Sequence, residues 1–177
     1  RQVPTRIVMT IGGNDLDSLL EDITAGGDEA TLQATFDTAM LLMRGAAEWV
    51  TEPGRFPNGG YLVFANMYDF TDEDGALDMA TCPGAELIGM DAPLLDPVLW
   101  PVMKSAQEEF LSIAVDTQTD MVFLGEEFCG HGYNNTDASG RCYRGSGAET
   151  WLDFTCMHPG SGGHEAIADM VMSVVEE

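Results

Sequence analysis

Residues 61–70, YLVFANMYDF, constrain the fold more than any other stretch of the chain. Tyr61 to Ala65 are apolar at consecutive positions, so this strand cannot turn one face to water as an alternating antiparallel strand does. It predicts a strand covered on both faces, the environment of a parallel sheet flanked by helices. A second such run, RIVMTIG (6–12), ends on glycine, and DMVFLGEEF (120–128) predicts a third strand.

The segments between them carry helical periodicity. DLDSLLEDITAGG places Leu16, Leu19, Leu20 and Ile23 at helical spacing before a Gly-Gly stop. Asp28 then caps a longer amphipathic helix with Leu32, Phe36, Met40, Met43, Ala47 and Val50 on one face. The next helix is expected around Val102 to Val115, after Pro93, Pro97 and Pro101. The last is expected from about Gly163 to Val175, with Ile167, Met170, Val171 and Val174 as its buried stripe. This rhythm predicts one α/β domain over residues 1–177, three-layered, with a parallel sheet.

Acidic residues outnumber basic ones 30 to 7, for a formal charge of -23. Such a surface repels phosphate backbones and excludes nucleic acid as a partner. Solubility accounts for the acidity more simply than a dedicated cation-binding face. Asp72 and Asp74 superficially suggest calcium ligands, but the twelve-position loop pattern is absent and the segment predicts a solvated loop. No apolar run reaches membrane-spanning length.

Cys82, Cys129, Cys142 and Cys156 form no CxxC pair, which argues against a zinc or thioredoxin-like motif. Cys129 and Cys142 flank a polar, glycine-rich loop, so the preferred pairs are Cys129 with Cys142 and Cys82 with Cys156, one of the three connectivities that four cysteines allow. Paired cysteines point to an exported, secreted or periplasmic protein; four buried thiols in a cytosolic one are the competing reading. Asn134-Asn135-Thr136 is a glycosylation sequon, relevant in a eukaryotic source.

In open α/β sheets, ligands bind beyond the carboxyl ends of the strands. Gly12, Gly13 and Asn14 lie at one such end, and LDFTCMHPGSGGHEAIADMV, leading into the last helix, brings His158 and His164 toward the same crevice. Taken alone, Asn14 would simply cap the helix that follows. The histidine segment gives it a second meaning. GGND (Gly12 to Asp15) at a strand end, with DFTCMHPGSGGH (Asp153 to His164) far downstream, resembles the SGNH, or GDSL-type, esterase and lipase family.

The resemblance implies a flavodoxin-like three-layer α/β/α fold and a carboxylic ester hydrolase working through an acyl-enzyme, without cofactor or metal. His158 would be the general base, Asp153 the acid that orients it, and Asn14 an oxyanion donor on the turn that Gly12 and Gly13 permit. Two departures stand out. The family places Asp three residues before the catalytic His; here that position is Thr155, so either Asp153 or a backbone carbonyl orients the ring. The family's GDS block with its nucleophilic serine is missing, since only eleven residues precede Gly12. None of Ser18, Ser105, Ser112, Ser139, Ser146, Ser161 or Ser173 follows a predicted strand in a GDS or GxSxG context.

The three strands would then be strands 3, 4 and 5 of that sheet, with an apolar edge where strand 1 belongs. The expectation is a C-terminal portion of a longer esterase, acting with an N-terminal fragment of the same precursor that supplies the serine. A binding or assembly protein that keeps the fold without the nucleophile is the alternative. His164 is expected to be structural, and His131 either lines the pocket or fills the disulfide loop. Three dispersed histidines lack metal-ligand spacing. The acyl and alcohol groups of the substrate are open to short-chain esters, acetylated sugars and phospholipids.

Overall fold

A computed structural model describes residues 3–73, 82, 84 and 96–176, without the side chains of residues 16, 17, 20, 23, 24 and 96–100. The described elements run β1 (Thr5–Met9), α1 (Gly13–Thr24), α2 (Glu29–Thr51), β2 (Gly60–Ala65), α3 (Asp96–Thr117), β3 (Asp120–Val122), α4 (Leu124–Phe128) and α5 (Ser161–Glu176). They divide into two compact units, residues 1–67 with 106–122, and residues 68–105 with 123–177. Helix α3 contributes its first ten residues to unit 2 and the remainder to unit 1.

Unit 1 holds the sheet. Its three strands pair in the order β1-β2-β3, both pairs parallel, with Ile7 opposite Leu62, Met9 opposite Phe64, and Phe64 opposite Met121. The α/β class with a parallel sheet is therefore present, in a layout compatible with the flavodoxin-like one. Leu62 to Ala65 are all buried, as the continuous apolar run requires. Phe64 stacks on Phe110 of α3 with centroids 5.0 Å apart, and Met43, Leu19 and Ile113 are buried in the same unit. On α2, Met40, Met43 and Ala47 of the predicted stripe are buried together with Ala39, while Leu32, Phe36 and Val50 are half-buried. Asp28 caps α2 as expected, accepting a hydrogen bond from the Thr31 backbone N–H at 2.9 Å.

The third strand is shorter than its sequence suggests. It ends at Val122, and the second half of the predicted strand is α4. Extended, Glu126 would share a face with Val122, Leu124 and Phe128; coiled into a helical turn, Leu124 and Phe128 are buried four residues apart and Glu126 is exposed. Helix α3 begins at Asp96, before the expected start, and contains Pro101. Helix α5 forms where expected, but Ile167, Met170, Val171 and Val174 are only half-buried, and Gly163 is its one fully buried residue.

The regular structure described in unit 2 is the first part of α3 with α4 and α5, and cross-links tie its loops. Cys82 bonds Cys156 across a separation of 74 residues, and Cys129 bonds Cys142 across 13, the two preferred pairs. Around them runs an aromatic ladder. Tyr68 stacks on Phe128 (4.5 Å), Phe128 meets the edge of Trp151 (5.3 Å), and Trp151 stacks flat on His131 (3.6 Å).

Candidate functional site

Strand β1 ends into a turn that only glycine suits. Gly12 is buried with φ +113, and a Cβ there would run into the Met43 side chain and approach Phe110 Cζ to 3.1 Å. Helix α1 starts at the next residue, so Asn14 lies inside its first turn rather than at its cap; the side chain is exposed and its carbonyl accepts a hydrogen bond from Ser18 Oγ. An open cavity of about 710 Å³ between α1 and α2 is lined by Asp15, Ser18, Asp28, Thr31, Thr35 and Thr38, but not by Asn14.

Unit 2 carries the histidine segment as a closed loop. Trp151 and Gly160 are joined by a 2.7 Å backbone bond, Leu152 bridges Pro159, and Asp153 N–H donates to the His158 carbonyl at 2.8 Å. The six residues from Asp153 to His158 are thereby pinched off at the base. Within the loop, Cys156 adopts φ +62 while its sulfur is tied to Cys82. Two tyrosines fasten the outside, Tyr68 Oη donating to the Met157 carbonyl (2.7 Å) and Tyr133 Oη to the Asp153 carbonyl (3.0 Å). Burial, and then the charge of Asp153, push the Tyr68 phenol up to about 12, so it remains a donor at any ordinary pH.

Asp153 and His158 are brought together, but not directly. Asp153 Oδ1 accepts from both the Thr155 backbone N–H (2.9 Å) and the Thr155 hydroxyl (2.5 Å). The Thr155 oxygen lies 3.1 Å from His158 Nδ1. The Thr155 hydroxyl is the main cause holding the Asp153 carboxyl below its ordinary range, with the nearby charges of His158 and His164 adding to it. His158 is exposed, and its Nε2 makes no hydrogen bond among the described residues. Gly12 and Asn14 belong to unit 1, Asp153 and His158 to unit 2.

The other candidate residues sort differently. His131 fills the disulfide loop: its ring packs on Trp151 and its Nδ1 meets the Glu149 carbonyl at 2.7 Å. His164 is exposed in the first turn of α5, its backbone N–H bonded to the Gly160 carbonyl. Ser161 opens that helix and is exposed. Asn134, the sequon residue, spends a side-chain N–H on the Thr71 carbonyl (3.1 Å).

Asp72 overturns the expectation of a solvated acidic loop. It is buried, with φ +54, and its Oδ1 accepts backbone N–H groups from Gly130 and Gly132, each at 2.9 Å. Burial pushes its carboxyl up, and among the described residues Oδ2 has no hydrogen-bond partner. Asp69 behaves similarly, raised by burial while its Oδ1 gathers the Thr71 N–H and hydroxyl. Asp74 lies outside the described residues. Among the described residues, the one cluster at metal-ligand distances is Glu73 with Cys129 and Cys142, whose sulfurs are joined to each other and are not thiolates.

The sequence marks Thr155 only as a gap in a pattern, gives Tyr68 no role, and places Asp72 in a solvated loop rather than in a buried one. A hydroxyl three residues before a His-Pro was the available signal for the first; a lone Tyr or Asp in a polar segment carries none. Comparison of the chain with protein-family models, with curated proteins and with solved structures finds no match. The class supported by fold and site is thus an α/β protein with a parallel sheet, two disulfides and a histidine held at one ring nitrogen.

Proposed function

We propose that this chain carries the base and oxyanion elements of a serine-type carboxylic ester hydrolase of the SGNH kind. The observation that carries the reading is the ring of His158, tethered at Nδ1 with Nε2 available. A serine hydroxyl attacks the ester carbonyl carbon, and its proton passes to His158 Nε2. The resemblance assigns the tetrahedral oxyanion to the side-chain amide of Asn14, on the helix start that Gly12 makes possible. Collapse expels the alcohol, which takes the proton back from His158, and water repeats the cycle on the acyl-enzyme.

The serine belongs to an upstream segment or a second chain. Among the described residues no serine hydroxyl bonds His158, and β1 is an edge strand of the sheet with Val8 47% exposed, able to accept a further strand. Secretion fits the two disulfides, and among the described residues no helix is long and apolar enough to cross a membrane. The lack of a serine partner for His158 equally favours a second reading, a binding or assembly protein built on the same fold.

Fluorophosphonate labelling of the native material separates the two. Label on a co-purifying N-terminal fragment is expected; an intact partner that takes no label would leave the binding protein. His158→Ala should reduce ester turnover by roughly three orders of magnitude or more without unfolding the chain, and turnover retained in that variant would remove His158 from the mechanism.

A further inference from the structure

The Thr155 hydroxyl sits between a carboxylate and an imidazole and has one proton to give. Its distance to Asp153 Oδ1 is 2.5 Å and to His158 Nδ1 3.1 Å. The short bond, and the depression of the Asp153 carboxyl that it causes, assign that proton to the carboxylate. What the oxygen offers His158 is then a lone pair, and a lone pair calls for Nδ1–H on the ring. The Met157 and His158 backbone N–H groups also point at this oxygen, at longer range (3.5 and 3.4 Å). Both are donors, so they reinforce its use as an acceptor.

We propose that Thr155 is a positioning residue, relaying the charge of Asp153 to His158 so that the ring is held as the Nδ1–H tautomer with its Nε2 lone pair exposed. The relay deepens the esterase reading and rests on it for its catalytic meaning, since Nε2 is the nitrogen that must take the serine proton. It also resolves the five-residue spacing between Asp153 and His158. The loop pinched between Leu152 and Pro159 brings the carboxylate near the ring, and a hydroxyl spans the gap that a carboxylate three residues before the histidine would fill directly. Valine at position 155 would keep the volume and the β-branch but delete the relay; serine would keep the relay and lose only a methyl group.

Nitrogen-15 NMR of the His158 ring, on the full native protein at neutral pH, reads the tautomer independently of any activity. The Nδ1–H form is expected to dominate in the wild type and in Thr155→Ser, and to give way to Nε2–H in Thr155→Val. Ester turnover should follow, with kcat reduced roughly 10- to 100-fold in Thr155→Val at little change in KM and largely restored in Thr155→Ser. An Nε2–H ring in the wild type, or a ring unchanged by Thr155→Val, overturns the relay. Should the tautomer respond as expected while wild-type material neither takes fluorophosphonate nor turns over ester, the relay stands and the esterase reading falls.

Discussion

The two units of this chain hold their shape by different means. Unit 1 is a parallel sheet and its helices, with Phe64, Phe110, Met43 and Ile113 almost wholly removed from water. Its charged cluster of Arg44 with Glu109 (2.7 Å) and Asp116 (2.6 Å) is partly exposed and adds little. Among the described residues, unit 2 has few buried apolar side chains besides its cysteines; two disulfides, an aromatic ladder and the buried carboxylate of Asp72 hold it together. The contrast shows a division of labour: area burial suffices where regular elements stack, whereas irregular backbone needs point-by-point satisfaction of its N–H groups.

That contrast can be broken from either side. The largest effect is expected in unit 2, from replacing Cys82 and Cys156 together by Ala. The closed loop spans 74 residues, and the chain-entropy estimate for a loop of that size is about 4.5 kcal/mol, against about 3 for the 13-residue Cys129–Cys142 loop. Chemical denaturation of the two double variants should preserve that order; equal losses would show that unit 2 does not rely on the long cross-link. In unit 1, Phe110→Ala removes the partner of Phe64 and leaves a cavity, for a loss of about 3–5 kcal/mol by the same measurement. A loss near 1 kcal/mol would mean that the sheet core repacks easily.

A smaller effect, and the sharper one, concerns Asp72. Asp72→Ala strands two buried backbone N–H groups, at Gly130 and Gly132, and should cost roughly 2–3 kcal/mol. Asp72→Asn keeps an acceptor, and the difference lies in pH. Because burial raises the Asp72 carboxyl in the folded state, its ionised form is disfavoured there, and the folded chain binds that proton more readily than the unfolded one. The wild type should therefore gain stability relative to Asp72→Asn as pH falls from 7 through the raised folded value toward the ordinary carboxylate range. Below that range the gain is complete. Denaturation of both proteins at several pH values tests it, and parallel curves would count against a buried, ionisable Asp72.

Much of unit 1 could be read from residue order. The apolar run at 61–65, the Asp28 cap and the spacing of Met40, Met43 and Ala47 are local patterns whose period states the structure directly. The reading broke at residues 123–128, taken as the end of a strand, where only a helical turn buries Leu124 and Phe128 together without carrying Glu126 to the same face. It weakened again at α5, whose stripe has the right period yet is only half-buried, because periodicity gives the direction of a face and not the depth of its cover.

In unit 2 the cysteines and the His-Pro pair announced themselves by type, and the structure selects the preferred one of three possible connectivities. Sequence alone determined the α/β alternation, the presence of paired cysteines and the candidacy of His158, since each rests on residue type and local pattern. Tertiary structure alone decided that Asp72 is buried against Gly130 and Gly132, and that Tyr68 fastens the loop before His158. It also decided that Asp153 reaches the ring through Thr155. Those are hydrogen bonds, made at 2.5 to 3.1 Å between groups that residue order can leave dozens of positions apart, and their partners are fixed only once the backbone has been laid down.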